Sequence, residues 1–198
     1  MAIQRRRQRE ETQRRMLILS AARDLAESVG WEAVTTRRLS DQIKFSQSVL
    51  YRHFKGKEEI VRGVAIEGFG ELADALREAR LTGAPDDPSL DTLAWCYAKF
   101  AATKPALYEA MFMLSTDLAF GGSNAPESLV RCFAELKESV TEVAGGRDPE
   151  TFTEVIWASL HGLVMLECAS RLRPRQENNR LALLVRQHLT EASSPAGP

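Results

Sequence analysis

The chain has 198 residues, of which 44% are hydrophobic and 27% charged, with a formal net charge of -1. That is enough apolar side chain to bury a core in one large or two small domains. No stretch approaches the ~20 apolar residues of a membrane span, and the N-terminal arginines precede no apolar run of the secretory type, so a membrane protein is excluded and a cytoplasmic location is expected.

The near-neutral total conceals a segregation of charge. Up to Arg62 the chain carries 14 Lys and Arg against 8 Asp and Glu, and beyond it 12 against 19. A cationic end on a globally neutral protein is the footprint expected of a polyanion binder. Cys96, Cys132 and Cys168 are odd in number and lack CxxC spacing, which reads as reduced thiols serving as small core residues.

In chain order, residues 1–11 hold Arg5, Arg6, Arg7 and Arg9 and are expected to form an unstructured basic arm. Such an arm either tracks phosphates or enters an AT-rich minor groove, or else is a solvated leader that only speeds encounter. Residues 12–58 read as a small helical domain. Thr12 is placed to cap its first helix, Ile18, Ala21, Ala22, Leu25, Ala26 and Val29 recur at three and four, and Gly30 ends it. Thr35 or Thr36 then caps a short helix with Leu39 and Ile43 on one face and small Ser40 beside them. After a turn, Ser46 caps a second short helix. Val49, Leu50 and Phe54 anchor it, while Gln47, Ser48, Tyr51, Arg52 and His53 face outward. Two short helices joined this way, the second opening with small polar side chains, suit a helix-turn-helix that reads base edges in a DNA groove.

A longer helix follows from about Lys57 to Arg80, with a stripe of Ile60, Val61, Val64, Ala65, Phe69, Leu72 and Leu76, so that residues 59–81 connect head and body. Thr82 to Ser89 is a turn-rich linker and the expected domain boundary. Residues 82–192 stay helical in pattern, over about Ser89 to Thr103, Pro105 to Leu118, Pro126 to Val143, Pro149 to Leu172 and Asn178 to Ala192, and 193–198 read as a frayed tail. The fold class is therefore all-α, a three-helix helix-turn-helix domain followed by a helical body.

The run Ile18 to Leu25, Gly30, Val34 to Ser40, Ser46, Leu50 to Phe54 and Lys57-Glu58 resembles the N-terminal domain of the tetracycline-repressor (TetR) family, with several positions in fixed register over about sixty residues. Two positions depart from it. Lys44 stands where the family usually has Gly, which predicts a locally altered turn, and Val49 stands where Thr is frequent. The resemblance implies phosphate contacts from Thr36, Tyr51, His53 and Lys57, and base contacts from Gln47, Ser48, Arg37 and Val49. In the body, Phe100, Lys104 to Phe112 and Trp157 to Gly162 are similar to the TetR C-terminal subgroup named for its Trp, His and Gly.

Aromatic and Met side chains concentrate in the body. Trp95, Phe100, Tyr108, Met111, Phe112, Trp157, His161 and Met165 suit a mostly apolar cavity for a hydrophobic effector, with Tyr97, Tyr108 and His161 as its polar groups. Each of them taken singly is equally what a plain core needs, and His161 reads first as a satisfied core histidine. A single head touches too little DNA for strong specificity, so a homodimer on a palindromic operator is expected. Its interface is expected on the last two helices, from Phe152, Val155, Ile156, Ser159, Leu160, Leu163, Val164, Leu166 and Glu167 on one and Leu181, Leu184, Val185 and Leu189 on the other. Catalysis is not expected: there is no nucleophile elbow, phosphate-cradling glycine loop or zinc spacing, and His53, His161 and His188 are scattered, so neither cofactor nor metal is implied. The resemblance implies a repressor released by a hydrophobic small molecule.

Overall fold

The computed structural model describes residues 1–83, 89–120, 122, 124–141 and 143–190. Among these, regular structure is helical throughout. The elements are α1 (Ala2–Val29), a 3₁₀ turn (Trp31–Ala33), α2 (Thr36–Ile43), α3 (Gln47–His53), α4 (Lys57–Thr82), α5 (Ser89–Thr103), α6 (Pro105–Phe112), α7 (Glu127–Thr141), α8 (Pro149–Cys168) and α9 (Glu177–Thr190). Packing divides the chain into two compact units, Met1–Gly68 with Lys104–Pro126, and Phe69–Thr103 with Glu127–Pro198. The division falls inside α4. Most of the linker expected at Thr82 to Ser89, and the tail 193–198, lie outside the described residues.

The first unit is built around α1, whose stripe of Ile18, Leu19, Ala21, Ala22 and Ala26 is buried. The expectation of an unstructured arm over residues 1–11 is corrected, because α1 is helical from Ala2. Arg, Gln and Glu are good helix formers and neither Gly nor Pro occurs before Gly30, so propensity outweighs the charge density that suggested a coil. Arg6 and Glu10 pair one turn apart at 2.9 Å. Thr12 is consequently no cap; it lies within the helix and its Oγ1 donates to the Gln8 carbonyl at 3.0 Å. At the other end Gly30, at φ 80°, closes the helix by donating its N–H to the Ala26 carbonyl at 2.7 Å.

Three contacts fix α6 and α4 within this unit. Trp31, 2% exposed, donates its indole N–H to the Ala106 carbonyl at 2.7 Å. Glu27 accepts from the Leu107 N–H at 3.2 Å, satisfying one of the donors that a helix start leaves unpaired behind Pro105. Gly68 lets α6 approach α4 so closely that a Cβ there would stand 2.6 Å from Met111 Sδ and 2.9 Å from Leu107 Cδ1. α6 stops at Phe112, well short of the expected Leu118. Ser115, Thr116 and Asp117 follow after Met113 and Leu114, and side chains of their type compete with a helix for backbone hydrogen bonds.

In the second unit the later half of α4 buries Phe69, Leu72, Ala73 and Leu76, and α5 packs against α7, α8 and α9. The Asp148 carboxylate caps α8, accepting from the Thr151 N–H at 2.8 Å and its hydroxyl at 2.7 Å, which holds that carboxyl below its ordinary pKa. Arg80 pairs with Glu135 at 2.9 Å between α4 and α7, and Arg180 with Glu167 at 2.7 Å between α9 and α8.

The residues expected at an interface between copies divide between the core of this unit and its surface. Phe152, Ile156, Leu160, Val164, Leu181, Leu184 and Val185 are buried inside this unit, and Leu163 and Leu189 are half-buried. α8 is apolar around much of its girth, so periodicity alone does not separate the face turned to its own core from the face left over. The face left over carries Val155, 47% exposed, and Leu166, 45% exposed, with Ala158, Ser159 and Gly162 between them. Nothing lies within 4 Å of where a Gly162 Cβ would stand. On α9 the corresponding exposed side chain is Leu183.

Candidate nucleic-acid interface

The α2 and α3 pair is shaped by its caps and its turn. Thr35 is the N-cap of α2, its Oγ1 accepting from the Arg38 N–H at 3.2 Å. Leu39 from α2 and Leu50 from α3 are fully buried, and Phe54 closes the cluster. Between the helices Lys44 sits in the left-handed region at φ 58°, ψ 32°. The turn is therefore the regular one, with Lys supplying a conformation that costs it about 1 kcal/mol more than Gly. Ser46 occupies the N-cap of α3, but its hydroxyl meets the Ser48 hydroxyl at 2.8 Å and makes no side-chain bond to the helix backbone.

That frame leaves a polar surface. Arg37, Gln47, Ser48 and Tyr51 are exposed, and Thr36, Val49, His53 and Lys57 are half-buried. Thr36 Oγ1 and the Tyr51 hydroxyl stand 3.4 Å apart, bridging α2 and α3. Lys57 donates from Nζ to the Trp31 carbonyl at 2.5 Å, which fixes its stem. An ammonium has three donors, so this bond leaves it free to meet an anion as well.

One contributor escaped the sequence reading. Arg15 donates to the His53 carbonyl at 3.0 Å, lies 4.1 Å over the Phe54 ring and comes within 4.0 Å of Glu59. It secures the end of α3, where the last carbonyls have no partner inside the helix. Its only signal is that it extends the buried stripe of α1 by one turn, at the register of Ile18 and Ala22. Below it, Lys55, Lys57 and Arg62 alternate with Glu58, Glu59 and Asp117 around a cleft of about 670 Å³ that Ser115 and Thr116 complete. Its mixed charge favours neither sign of ligand.

The residues expected around an effector fall in both units. Tyr108, Met111 and Phe112 belong to α6 in the first, where Tyr108 and Met111 are buried and the Tyr108 and Phe112 rings lie 4.7 Å apart. Trp95, Phe100, Trp157, His161 and Met165 belong to the second. There buried Tyr97 organises a polar centre: its hydroxyl accepts from the Trp157 indole N–H at 3.1 Å and lies 3.4 Å from His161 Nδ1. Burial lowers the His161 pKa below its ordinary 6.5. Trp95 is 42% exposed and Phe100 is buried.

Residues 18–64 match the family described as bacterial regulatory proteins, tetR family, and residues 90–189 match the tetracyclin repressor-like C-terminal domain. The chain belongs to the tetR family. Among curated proteins, this TetR-family chain is 29% identical over 97 residues to an uncharacterized HTH-type transcriptional regulator, YobS, of Bacillus subtilis, covering 49% of this chain and 50% of that protein. It is 38% identical over 68 residues to the tetracycline repressor protein class C of Escherichia coli, covering 34% of this chain and 26% of that one. The chain thus spans about half, and about a quarter, of the curated relatives it matches. Among solved structures, a TetR-family transcriptional regulator from Pectobacterium atrosepticum superposes with a TM-score of 0.69 at 18% identity over 94% of this chain and 98% of that one. The transcriptional regulator FadR of Bacillus subtilis, in complex with stearoyl-CoA, gives 0.61 at 19% identity over 86% and 97%.

Proposed function

We propose that this TetR-family protein is a repressor that binds a palindromic operator as a homodimer and leaves it when a hydrophobic small molecule binds. The observation that carries the reading is the exposed set Arg37, Gln47, Ser48 and Tyr51, held on α2 and α3 by a buried cluster and a regular left-handed turn. Gln47 suits the two hydrogen-bonding positions of an adenine edge and Arg37 those of guanine, each discriminating by roughly 1–3 kcal/mol. Ser48 and the Val49 methyls complete the base-facing group. Thr36, Tyr51, His53 and Lys57 supply phosphate contacts, which set register and carry the salt dependence.

A second copy is proposed to pair through the leftover face of α8, where Val155 and Leu166 flank Ala158 and Gly162, together with Leu183 of α9. The open space at Gly162 supports close approach of another helix there. For the effector, the polar centre of Tyr97, Trp157 and His161 in the second unit suits a hydrophobic molecule bearing a polar group. The stearoyl-CoA bound by B. subtilis FadR shares with such a molecule a long apolar chain, joined there to a large anionic coenzyme A group. Because α4 belongs to both units, a guest that repacks Phe69 and Leu72 acts on the same helix that begins at Lys57.

The decisive experiment selects a duplex from a random pool with the purified protein and then compares wild type with Gln47→Ala. The expected result is a palindromic site, and a variant whose preference relaxes at one base pair per half-site while scrambled duplex is bound as before. Equal losses on selected and scrambled duplex would contradict the role of Gln47, and failure to enrich any site would contradict the reading as a whole.

A further inference from the structure

We propose that the N-terminal turns of α1, from Ala2 to Leu17, are a second DNA-contacting element that lies along the phosphate backbone outside each half-site. The inference rests on the reading above, because it requires α2 and α3 to be seated on DNA.

Among the described side chains of α1 the first that is buried is Ile18. Before it Arg5, Arg6, Arg7, Arg9 and Arg14 are exposed, as are Ile3, Met16 and Leu17. The three exposed apolar side chains are outnumbered by these five arginines. Followed toward the N-terminus at three and four, the core stripe of Ala22 and Ile18 continues as Arg15, Glu11, Gln8 and Gln4, so the side that packs further down the helix is polar here. Arg5 and Arg9 lie on one flank of that stripe, Arg7 and Arg14 on the other, and Arg6 opposite it. Cations on several sides and no apolar face match a line of phosphates and not a hydrophobic groove.

Arg15 fixes where this helix leaves the body. Its bond to the His53 carbonyl and its place over Phe54 set the junction beside the end of α3 and close to Glu59 near the start of α4. His53, one of the proposed phosphate contacts, stands at that junction, its carbonyl bonded to Arg15. Arginines that continue outward from there extend the cationic line onto the flanking duplex. Secondary structure decides how they do so. A helix 10–12 Å across does not enter a minor groove about 6 Å wide, so the minor-groove route open to a coil is closed, and the side chains reach phosphates from outside. At 1.5 Å per residue the element spans about 24 Å, less than one turn of duplex.

Electrostatics favours the same placement. No acidic residue occupies the first turn of α1, and Arg5, Arg6 and Arg7 stand near the positive end of its dipole, which disfavours the helix in isolation. Phosphates alongside neutralise both charges, so binding to DNA and helicity reinforce each other.

The test uses the full chain and the duplex it selects, prepared in two lengths: one ending at the outer edges of the half-sites, the other extended by about 10 bp on each side. Wild type is compared with the fourfold variant Arg5→Gln, Arg6→Gln, Arg7→Gln, Arg9→Gln, which keeps good helix formers, and with the matching fourfold Arg→Lys variant, which keeps the charge. The expected result is a salt slope shallower by about two to four per protomer for the Gln variant on the long duplex only, at about 0.9 per phosphate contact, and a slope restored by Lys. An unchanged slope on the long duplex overturns the proposal, and so does an equal fall on both lengths, since that places the arginines within the half-sites. Wild type that fails to prefer the selected site on the short duplex would instead refute the regulator reading, which distinguishes the two failures.

Discussion

Trp31 shows how much one side chain contributes to the first unit, donating through its indole to Ala106 and accepting through its carbonyl from Lys57. In the second unit the comparable residue is His161, held beside Tyr97 with its pKa lowered by burial. A folded pKa below the unfolded 6.5 means that the unfolded chain takes up the proton first as the solution is acidified, so stability is present above pH 6.5 and falls toward the folded value. Urea midpoints measured from neutral pH downward should therefore drop more steeply in wild type than in His161→Gln; parallel curves would remove His161 from the account. The caps at Thr35 and Asp148 and the stop at Gly30 act locally, the first two through a hydroxyl and a carboxylate aimed at the next turn, and Thr35 and Gly30 were legible for that reason. Arg15 was not, because its partners His53, Phe54 and Glu59 lie about forty residues away and only packing brings them near.

Among the elements, α4 and α6 meet with no room to spare. Gly68→Ala removes the roughly 1 kcal/mol that glycine costs a helix, yet it drives a methyl against two atoms of buried Met111 and one of Leu107. Overpacking of this kind costs about 1–3 kcal/mol, so the variant should melt below wild type, and a higher melting temperature would show that Met111 steps aside without cost. Helix positions from α5 to α9 could be read from apolar spacing and from Pro105 and Pro149, although α6 and α8 end before the expected Leu118 and Leu172. The association of α6 with the first unit could not be read, since it depends on Glu27 and Trp31, which no local pattern links to Ala106 and Leu107. The error over residues 1–11 has the opposite origin: charge was weighed above the helix propensity of Arg, Gln and Glu.

For the molecule as a whole, the proposed pairing of two copies makes a sharp distinction between faces of α8. Val155→Glu combined with Leu166→Glu alters side chains that are nearly half exposed, so the chain should fold but sediment as a monomer and lose most of its operator affinity. Leu160→Ala, at a fully buried position, should instead destabilise the fold by about 2–5 kcal/mol. A double variant that remains dimeric would move the interface elsewhere. The direction of the charge segregation, cationic toward Arg62 and acidic beyond, was plain in the sequence because it needs only counting. The tryptophans follow the same partition: Trp31 lies in the first unit, Trp95 and Trp157 in the second. Replacing only Trp95 by phenylalanine would therefore leave two tryptophans, Trp31 sealed against α6 and Trp157 beside Tyr97, and their emission would give an optical record of each unit when a guest molecule arrives.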